Sequence, residues 1–128
     1  MVKDKNEQLF QQANGKKEWY EQGSVIWCDF DPTKGHEQKG RRPAIIVSNK
    51  SFYLLTHMIK VVAVSSSNNQ QNFPTNITLP EKMQTKGYAL TDQERSIDPN
   101  ERNVEFIEYC PQNVLNSIID LVLMTYEK

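Results

Sequence analysis

The chain has 128 residues, 38% hydrophobic and 24% charged, and this length and composition favour one folded domain over a disordered chain. The formal net charge of −1 argues against a protein that coats long DNA, although the basic segment from Lys34 to Arg42 could bind a short RNA or a nucleotide. No apolar run reaches the ~18–20 residues that cross a bilayer, and no signal-peptide core is present, which argues against a membrane protein and predicts a cytoplasmic one.

Residues 1–22 are a polar extension, for which we predict a short helix, a turn at Asn14-Gly15 and a lead-in to a domain formed by residues 23–128. The first half of that domain is rich in apolar and β-branched residues. We predict strands over 24–30, 43–48 and 58–64, with the second strand buried on both faces and a helical turn at 51–55.

The second half of the domain has shorter predicted strands at 74–79, 87–93 and 103–109. Pro111 stands where a helix-initiating proline at the first helical position belongs. Apolar residues then recur at helical spacing up to Tyr126. The chain is therefore predicted to be mainly β with α, as a small β-barrel with a C-terminal helix.

The two cysteines lie in separate apolar runs. We expect Cys28 and Cys110 to be buried free thiols. No cluster of His and Cys has the spacing of zinc ligands, so we expect no metal and no cofactor.

The segment between the first two predicted strands is rich in functional groups: Gly35-His36-Glu37-Gln38-Lys39-Gly40-Arg41-Arg42-Pro43. Two glycines and a proline make it a loop. A neutral histidine exchanges a proton near pH 7, and arginine is a permanent cation whose fork suits phosphate oxygens. The loop could bind a phosphodiester and transfer protons on it, or it could be a solvated turn.

Two blocks of the sequence carry a family resemblance. The first is Gly23-x-x-Ile26-Trp27-x-x-Phe30-x-Pro32-x-x-Gly35-His36-Glu37-Gln38-x-Gly40-x-Arg42-Pro43-Ala44, and the second is Gly87-x-Ala89-Leu90-x-Asp92-Gln93-x-x-Ser96-Ile97-Asp98. In order and spacing these residues resemble the MazF/PemK/Kid toxins, the endoribonucleases (mRNA interferases) of bacterial type II toxin–antitoxin systems. The resemblance covers residues 23 to about 126.

The resemblance implies an SH3-like barrel that forms a homodimer. It also implies metal-independent cleavage of single-stranded mRNA, often at a short sequence, which leaves 2′,3′-cyclic phosphate and 5′-OH ends. The implied partner is a MazE- or PemI-like antitoxin that blocks the site, and DNA would be contacted only indirectly, through that antitoxin.

Cleavage through the RNA's own 2′-OH needs a base, an acid for the leaving 5′ oxygen, and fixed charge or donors for the phosphorane. No metal is needed, because the nucleophile is tethered to the substrate. Arg42 matches the catalytic arginine of MazF-type members and would stabilise the phosphorane. His36 matches the histidine of the Kid/PemK branch, as acid, base or substrate clamp. Glu37 could be the base, could orient Arg42, or could form a structural salt bridge.

Two further catalytic candidates depart from the family pattern. Ser65 matches the catalytic threonine of MazF-like members but lacks the γ-methyl that restricts a threonine rotamer. Asp92 matches the acidic base of the Kid branch, but the arginine that Kid has two residues earlier is Leu90 here, which gives Arg42 more weight. The candidate RNA contacts are Arg41, Lys34, Lys39, Gln38, Ser66 and Gln93.

Aromatic residues are a further source of RNA contacts. Three of them fall on predicted strands and are expected in the core, namely Trp27, Phe30 and Tyr88. Three fall in predicted loops, where bases could stack on them, namely Phe52, Tyr53 and Phe73.

Two other functions remain open at this point. A non-catalytic relative that binds nucleic acid or a partner would be consistent with Ser65 and Leu90. A CcdB-like toxin directed at DNA gyrase would dock its C-terminal helix on a protein, and it would not need the loop with His36 and Arg42. The presence of that loop weighs against the gyrase-directed function.

Overall fold

The computed structural model describes residues 10–13, 16–30, 40–67 and 73–128, with the backbone alone for 10–13 and 16–19. In chain order the elements of this part are β1 Phe10–Ala13, β2 Lys16–Tyr20, β3 Ser24–Asp29, β4 Arg41–Ile46, α1 Lys50–Thr56, β5 Ile59–Ser65, β6 Asn76–Thr78, β7 Tyr88–Ile97, a 3-10 helix Pro99–Glu101, β8 Glu105–Tyr109 and α2 Gln112–Met124.

The described part of the N-terminal extension is β structure. β1 and β2 pair antiparallel, with Phe10 opposite Tyr20, so the helix prediction is wrong for Phe10–Ala13. Asn-Gly between two β segments is a strong hairpin signal, which the prediction used only as a helix stop. Tyr20 is fully buried, and its ring centroid is 4.9 Å from that of Tyr53 on α1.

The main sheet has six antiparallel strands in the order β6-β7-β5-β4-β3-β8. The mainly β fold with a C-terminal helix is confirmed. Pairing among the described residues does not close the sheet into a barrel, because β6 and β8 are its edges. The sheet curls nonetheless: Phe30 follows β3 and Arg95 lies on β7, three strands away, yet the Arg95 guanidinium carbon is 5.4 Å from the Phe30 ring centroid.

Each face of the sheet has its own core. The first core lies between the sheet and α2, and it includes Val25, Ile45, Val62, Val64, Ala89, Val114, Leu115, Ile118 and Val122. The second core covers the opposite face and includes Tyr20, Ile26, Cys28, Ala44, Ile46, Tyr53, Ile59, Val61 and Ile97. Successive residues of a strand point to opposite faces, so the two cores explain why β4 and β5 are apolar at consecutive positions and confirm the prediction that 43–48 is buried on both faces.

The expectations about the two cysteines and about Pro111 can be compared with these elements. Cys28 and Cys110 are both buried and free, as predicted. Pro111 caps α2 and does not occupy its first turn, since the helix begins at Gln112 and the Pro111 carbonyl accepts from the Leu115 amide at 2.9 Å. Neither described helix is both long enough and apolar enough to cross a membrane.

Candidate functional site

Arg42 and Ser65 lie on the same face of the sheet, on neighbouring strands. Ala44 of β4 pairs with Ala63 of β5, and continuing this antiparallel register by two residues places Arg42 opposite Ser65. Side chains that face each other across a strand pair share one face. Arg42 also pairs with Cys28 of β3, and Ser65 pairs with Tyr88 of β7. We call this line of four residues across the sheet the Arg42 row: Cys28, Arg42, Ser65 and Tyr88.

The guanidinium of Arg42 has no carboxylate or carbonyl partner among the residues that the structure describes, and the residue is half-buried. Arg41 differs in this respect. It donates from Nη1 to Asp29 Oδ1 and to the Asn103 carbonyl, each at 3.0 Å, and from Nη2 to Glu105 Oε1 at 2.8 Å. Arg41 therefore ties β4 to its surroundings, whereas none of these described groups occupies the donors of Arg42.

The position of Ser65 is set by the strand end and by the start of β7. Its hydroxyl oxygen accepts from the Ser67 amide at 3.1 Å, so the hydroxyl proton is left to donate elsewhere. Gly87 has φ +122°, and a Cβ there would collide with the Ser65 carbonyl. Glycine is thus what allows β7 to begin directly against Ser65. Ser66, a predicted RNA contact, follows Ser65 and is exposed.

Asp92 and Gln93 lie away from the Arg42 row. Between Val62 and Val64, one residue of β5 faces four residues of β7, so β7 forms a wide bulge here. Asp92 and Gln93 belong to that bulge, and both are exposed. Leu90, where the Kid branch has an arginine, is buried.

Five predicted site residues lie outside the described part of the chain: Lys34, His36, Glu37, Gln38 and Lys39. The residues that flank them are described, and the Phe30 amide donates to the Gly40 carbonyl at 2.7 Å. This bond joins the two described residues on either side of segment 31–39, each two positions along the chain from a member of the pair Cys28 and Arg42. The roles of the five residues remain predictions.

Two arginines that the sequence reasoning did not single out lie at the same end of the sheet. Arg95 lies over Phe30, as described above. Arg102 donates from Nη1 to the carbonyls of Asp29 and Phe30, at 3.2 and 2.9 Å. In the second sequence block, Arg95 is one of the positions written as x. Its place two residues before the apolar Ile97 was the available signal that Arg95 lies on a strand.

Nearby guanidinium groups affect the ionisation of Cys28, the buried residue at one end of the Arg42 row. Burial raises the pKa of the Cys28 thiol to about 11, and the guanidinium groups of Arg102, Arg95 and Arg41 oppose that rise. Among the described residues, no group of three or more His, Cys, Asp or Glu side chains is placed to hold a metal ion.

The strand aromatics differ from the expectation of a common core role. Trp27 is 40% exposed and contributes, with Pro43, Ile107 and neighbouring polar residues, to a cavity of about 340 Å³ on the first-core side. Phe30 and Tyr88 are half-buried. Tyr88 faces Ser65 across the strand pair and is the member of the Arg42 row on β7.

The three aromatics predicted in loops differ in how exposed their side chains are. Tyr53 lies on α1 and is buried, so it packs in the second core and is not available for stacking on a base. Phe52 is half-buried, with Lys60 Nζ 5.2 Å from its ring centroid. Phe73 is half exposed and remains a candidate for base stacking.

Comparisons with known proteins agree on one sequence family. The family described as "PemK-like, MazF-like toxin of type II toxin-antitoxin system" matches residues 21–123. Endoribonuclease PemK of Escherichia coli is 30% identical over 121 residues, which are 92% of this chain and 90% of that protein. The endoribonuclease toxin MazF of E. coli strain K12 is 39% identical over 75 residues, which are 59% of this chain and 65% of that protein.

Solved structures are similar in fold. MazF (Form-I) of Deinococcus radiodurans has a TM-score of 0.73 and 30% identity, over 84% of this chain and 96% of that one. A chain of the MazE–MazF complex (Form-II) of the same organism has a TM-score of 0.73 and 30% identity, over 83% of this chain and 94% of that one. Strands β1 and β2 lie outside the family match.

Proposed function

The chain belongs to the PemK-like, MazF-like toxin family of type II toxin–antitoxin systems and is an endoribonuclease toxin, and we propose that it cleaves single-stranded mRNA at the Arg42 row, at a short preferred sequence. The observation that carries the proposal is the register of β4 and β5, which places Arg42 across from Ser65 when it is continued by two residues. A guanidinium without a partner in the described structure lies opposite a hydroxyl whose proton is free to donate. A phosphodiester placed between them would accept from both.

The proposed reaction is a transesterification within the RNA. The 2′ oxygen attacks the adjacent phosphorus, and the bond from phosphorus to the 5′ oxygen breaks. A base takes the 2′ proton, and an acid gives one to the leaving oxygen, which yields a 2′,3′-cyclic phosphate and a 5′-OH without consuming water. No metal is required, because the nucleophile is part of the substrate.

Arg42 and Ser65 would act on the non-bridging oxygens, where charge grows in the transition state. Donors fixed before the reaction stabilise that charge without reorganising. The fork of Arg42 can donate two parallel bonds, and Ser65 adds one from its hydroxyl. His36, Glu37 and Asp92 remain candidates for the base and the acid.

The toxin family implies an antitoxin partner, and solved MazE–MazF complexes are among the similar structures. We propose a MazE- or PemI-like antitoxin that covers the Arg42 row, with contact to DNA only through that antitoxin. We further propose that the toxin is a homodimer and acts in the cytoplasm, where its mRNA substrate is found.

The first test is cleavage of a long, mostly unstructured RNA with EDTA present. Wild-type protein should give discrete cuts with 2′,3′-cyclic phosphate ends, and Arg42→Ala should lower the rate about 10²–10³-fold if Arg42 holds the transition state. Arg42→Lys keeps the charge without the fork and should recover part of the rate. Lys82→Ala removes a charge from an exposed site beside Met83, which packs in the first core, and it is the matched control.

Four outcomes would contradict this function or its assignment to Arg42. An absence of cuts at high enzyme concentration would favour a non-catalytic or gyrase-directed protein. Cuts that depend on added metal would overturn the metal-independent mechanism. A near-normal rate for Arg42→Ala would exclude Arg42 from the transition state, and weakened RNA binding with an unchanged single-turnover rate would limit it to positioning.

A further inference from the structure

Arg95 presents an exposed guanidinium on the face of the sheet that carries the Arg42 row. It pairs with Val61 and lies two residues before Ile97, and both of these apolar residues belong to the second core. Arg42 shares its face with Ala44, another residue of that core. Because alternate residues of a strand share a face, Arg95 and Arg42 project to the same side.

Phe30 fixes where the Arg95 cation lies. The phenyl ring is half-buried against the second core, and the backbone of Phe30 is bonded to the Gly40 carbonyl and to Arg102. A cation over this anchored ring gains a cation–π interaction. The planar guanidinium can stack on a ring while its N–H groups remain able to donate. The donors of Arg95 are therefore held over the Phe30 ring.

The charge of Arg95 is not neutralised by any carboxylate among the described residues, whereas Arg41 has two such partners. Arg95 is also close enough to the row to oppose the rise in the pKa of the Cys28 thiol. Arg95 lies over Phe30, two residues after Cys28, and Cys28 pairs with Arg42. An extended polyanionic strand with one phosphate at Arg42 would pass towards Arg95 along this face of the sheet.

We propose that Arg95, stacked on Phe30, binds a phosphate of the RNA strand that flanks the scissile one. This inference rests on the proposed function and deepens it, because it assigns a substrate contact outside the reacting atoms. Such a contact is made equally in the ground state and the transition state. Its loss should therefore raise KM and leave kcat nearly unchanged.

The test measures binding of a single-stranded RNA oligonucleotide whose 2′-O-methyl groups prevent cleavage, over a range of salt concentrations. Arg95→Ala should weaken binding about tenfold, the loss expected for one charge-assisted hydrogen bond. The slope of log K against log salt should become shallower by about 0.7, the value for one phosphate contact on a single strand. Arg95→Lys should retain most of the slope, and Lys82→Ala should change neither quantity.

The outcomes separate this contact from the cleavage reaction. An unchanged salt slope for Arg95→Ala overturns the contact. If the alanine and lysine variants also lose binding equally, Arg95 has a packing role only. A wild-type protein that does not bind the methylated RNA overturns the contact as well. The same preparations are tested on unmodified RNA, and binding with the expected slopes but no cuts would refute the proposed cleavage while supporting the contact.

Discussion

Arg41 and Arg42 are adjacent in the chain but lie on opposite faces of β4. Arg41 pairs with two carboxylates and a backbone carbonyl. Arg42 points to the face that carries Ser65 and has no such partner among the described residues. Because side chains alternate along a strand, one of two neighbouring arginines holds strands together, and the other is available for the proposed contact with the substrate.

The first prediction concerns Arg41. Its pairs with Asp29 and Glu105 are partly exposed, with side chains 34%, 32% and 71% accessible, so solvent screens them. Arg41→Ala should lower the free energy of unfolding by about 1 kcal/mol in total, as expected for exposed ion pairs. The difference from wild type should shrink in high salt. Urea unfolding at low and high salt measures both effects.

The control for Arg41 is the neighbouring substitution. Arg42→Ala should leave the free energy of unfolding within about 0.5 kcal/mol of wild type, since no described partner loses a bond. An equal loss of stability in the two variants would show that the division between the faces is wrong. RNA contact by Arg41, which the sequence analysis proposed, would compete with the ion pairs of Arg41.

Local pattern was enough to predict most strands. The apolar residues of 43–48 and 58–64 fixed β4 and β5, and the polar residues that follow Val64 correctly indicated a strand end at Ser65. The prediction failed at Phe10–Ala13, which is a strand paired with the neighbouring β2. The Asn-Gly dipeptide between the two segments was an available local signal that was used only as a helix stop.

The candidate site could also be predicted only in part. Arg42 and Ser65 became candidates through their match to the catalytic positions of the toxin family, and both lie on one face of the sheet. The placement of Asp92 could not be predicted, since a bulge shifts the register of β7 without a local signal. Arg95 was missed because its contact with Phe30 depends on the curl of a sheet in which their strands are not neighbours.

The second prediction concerns the hydroxyl of Ser65. Ser65→Ala removes a donor to a charged phosphate and should lower the cleavage rate about 10- to 100-fold, the value of a hydrogen bond to an ionised group. Ser65→Thr keeps the donor and restricts its rotamer, so it should cleave at least as fast as wild type. Ser117→Ala on α2 is the control for serine removal at an exposed site. Wild-type cleavage by Ser65→Ala would exclude the donor role.

The third prediction concerns a buried carboxylate that supports the segment before Gly87. Glu108 Oε2 accepts from the amide and the hydroxyl of Thr85, each at 2.7 Å, and Oε1 accepts from the Gln84 amide at 3.1 Å. Glu108→Gln replaces one acceptor oxygen with a donor and leaves a buried partner unsatisfied. We expect a loss of about 1–3 kcal/mol in the free energy of unfolding.

Glu101→Gln is the matched control for Glu108, because its side chain is exposed on the 3-10 helix. It should change the free energy of unfolding by less than about 0.5 kcal/mol. If Glu108→Gln is as stable as the control in urea, the three bonds do not hold the segment.

The last prediction concerns alkaline stability. Burial raises the pKa of the Cys28 and Cys110 thiols from 9.0 to about 11. Between these values the unfolded chain releases protons that the folded chain keeps. The free energy of unfolding should therefore fall as pH rises from about 9 to about 11, and these two groups should contribute no pH dependence well below pH 9.

Urea unfolding at pH 7, 9 and 10.5 checks this sign. Burial also raises the pKa of Tyr20 from 10.0, so part of the decline above pH 10 should persist when both thiols are removed. In the variant with Cys28→Ala and Cys110→Ala, the fall in the free energy of unfolding between pH 9 and 10.5 should be smaller than in wild type. The variant should also be less stable at every pH, because side-chain volume is lost from the core. A parallel fall in the two proteins would show that the thiols already ionise in the folded state, and iodoacetamide would then modify them rapidly without unfolding.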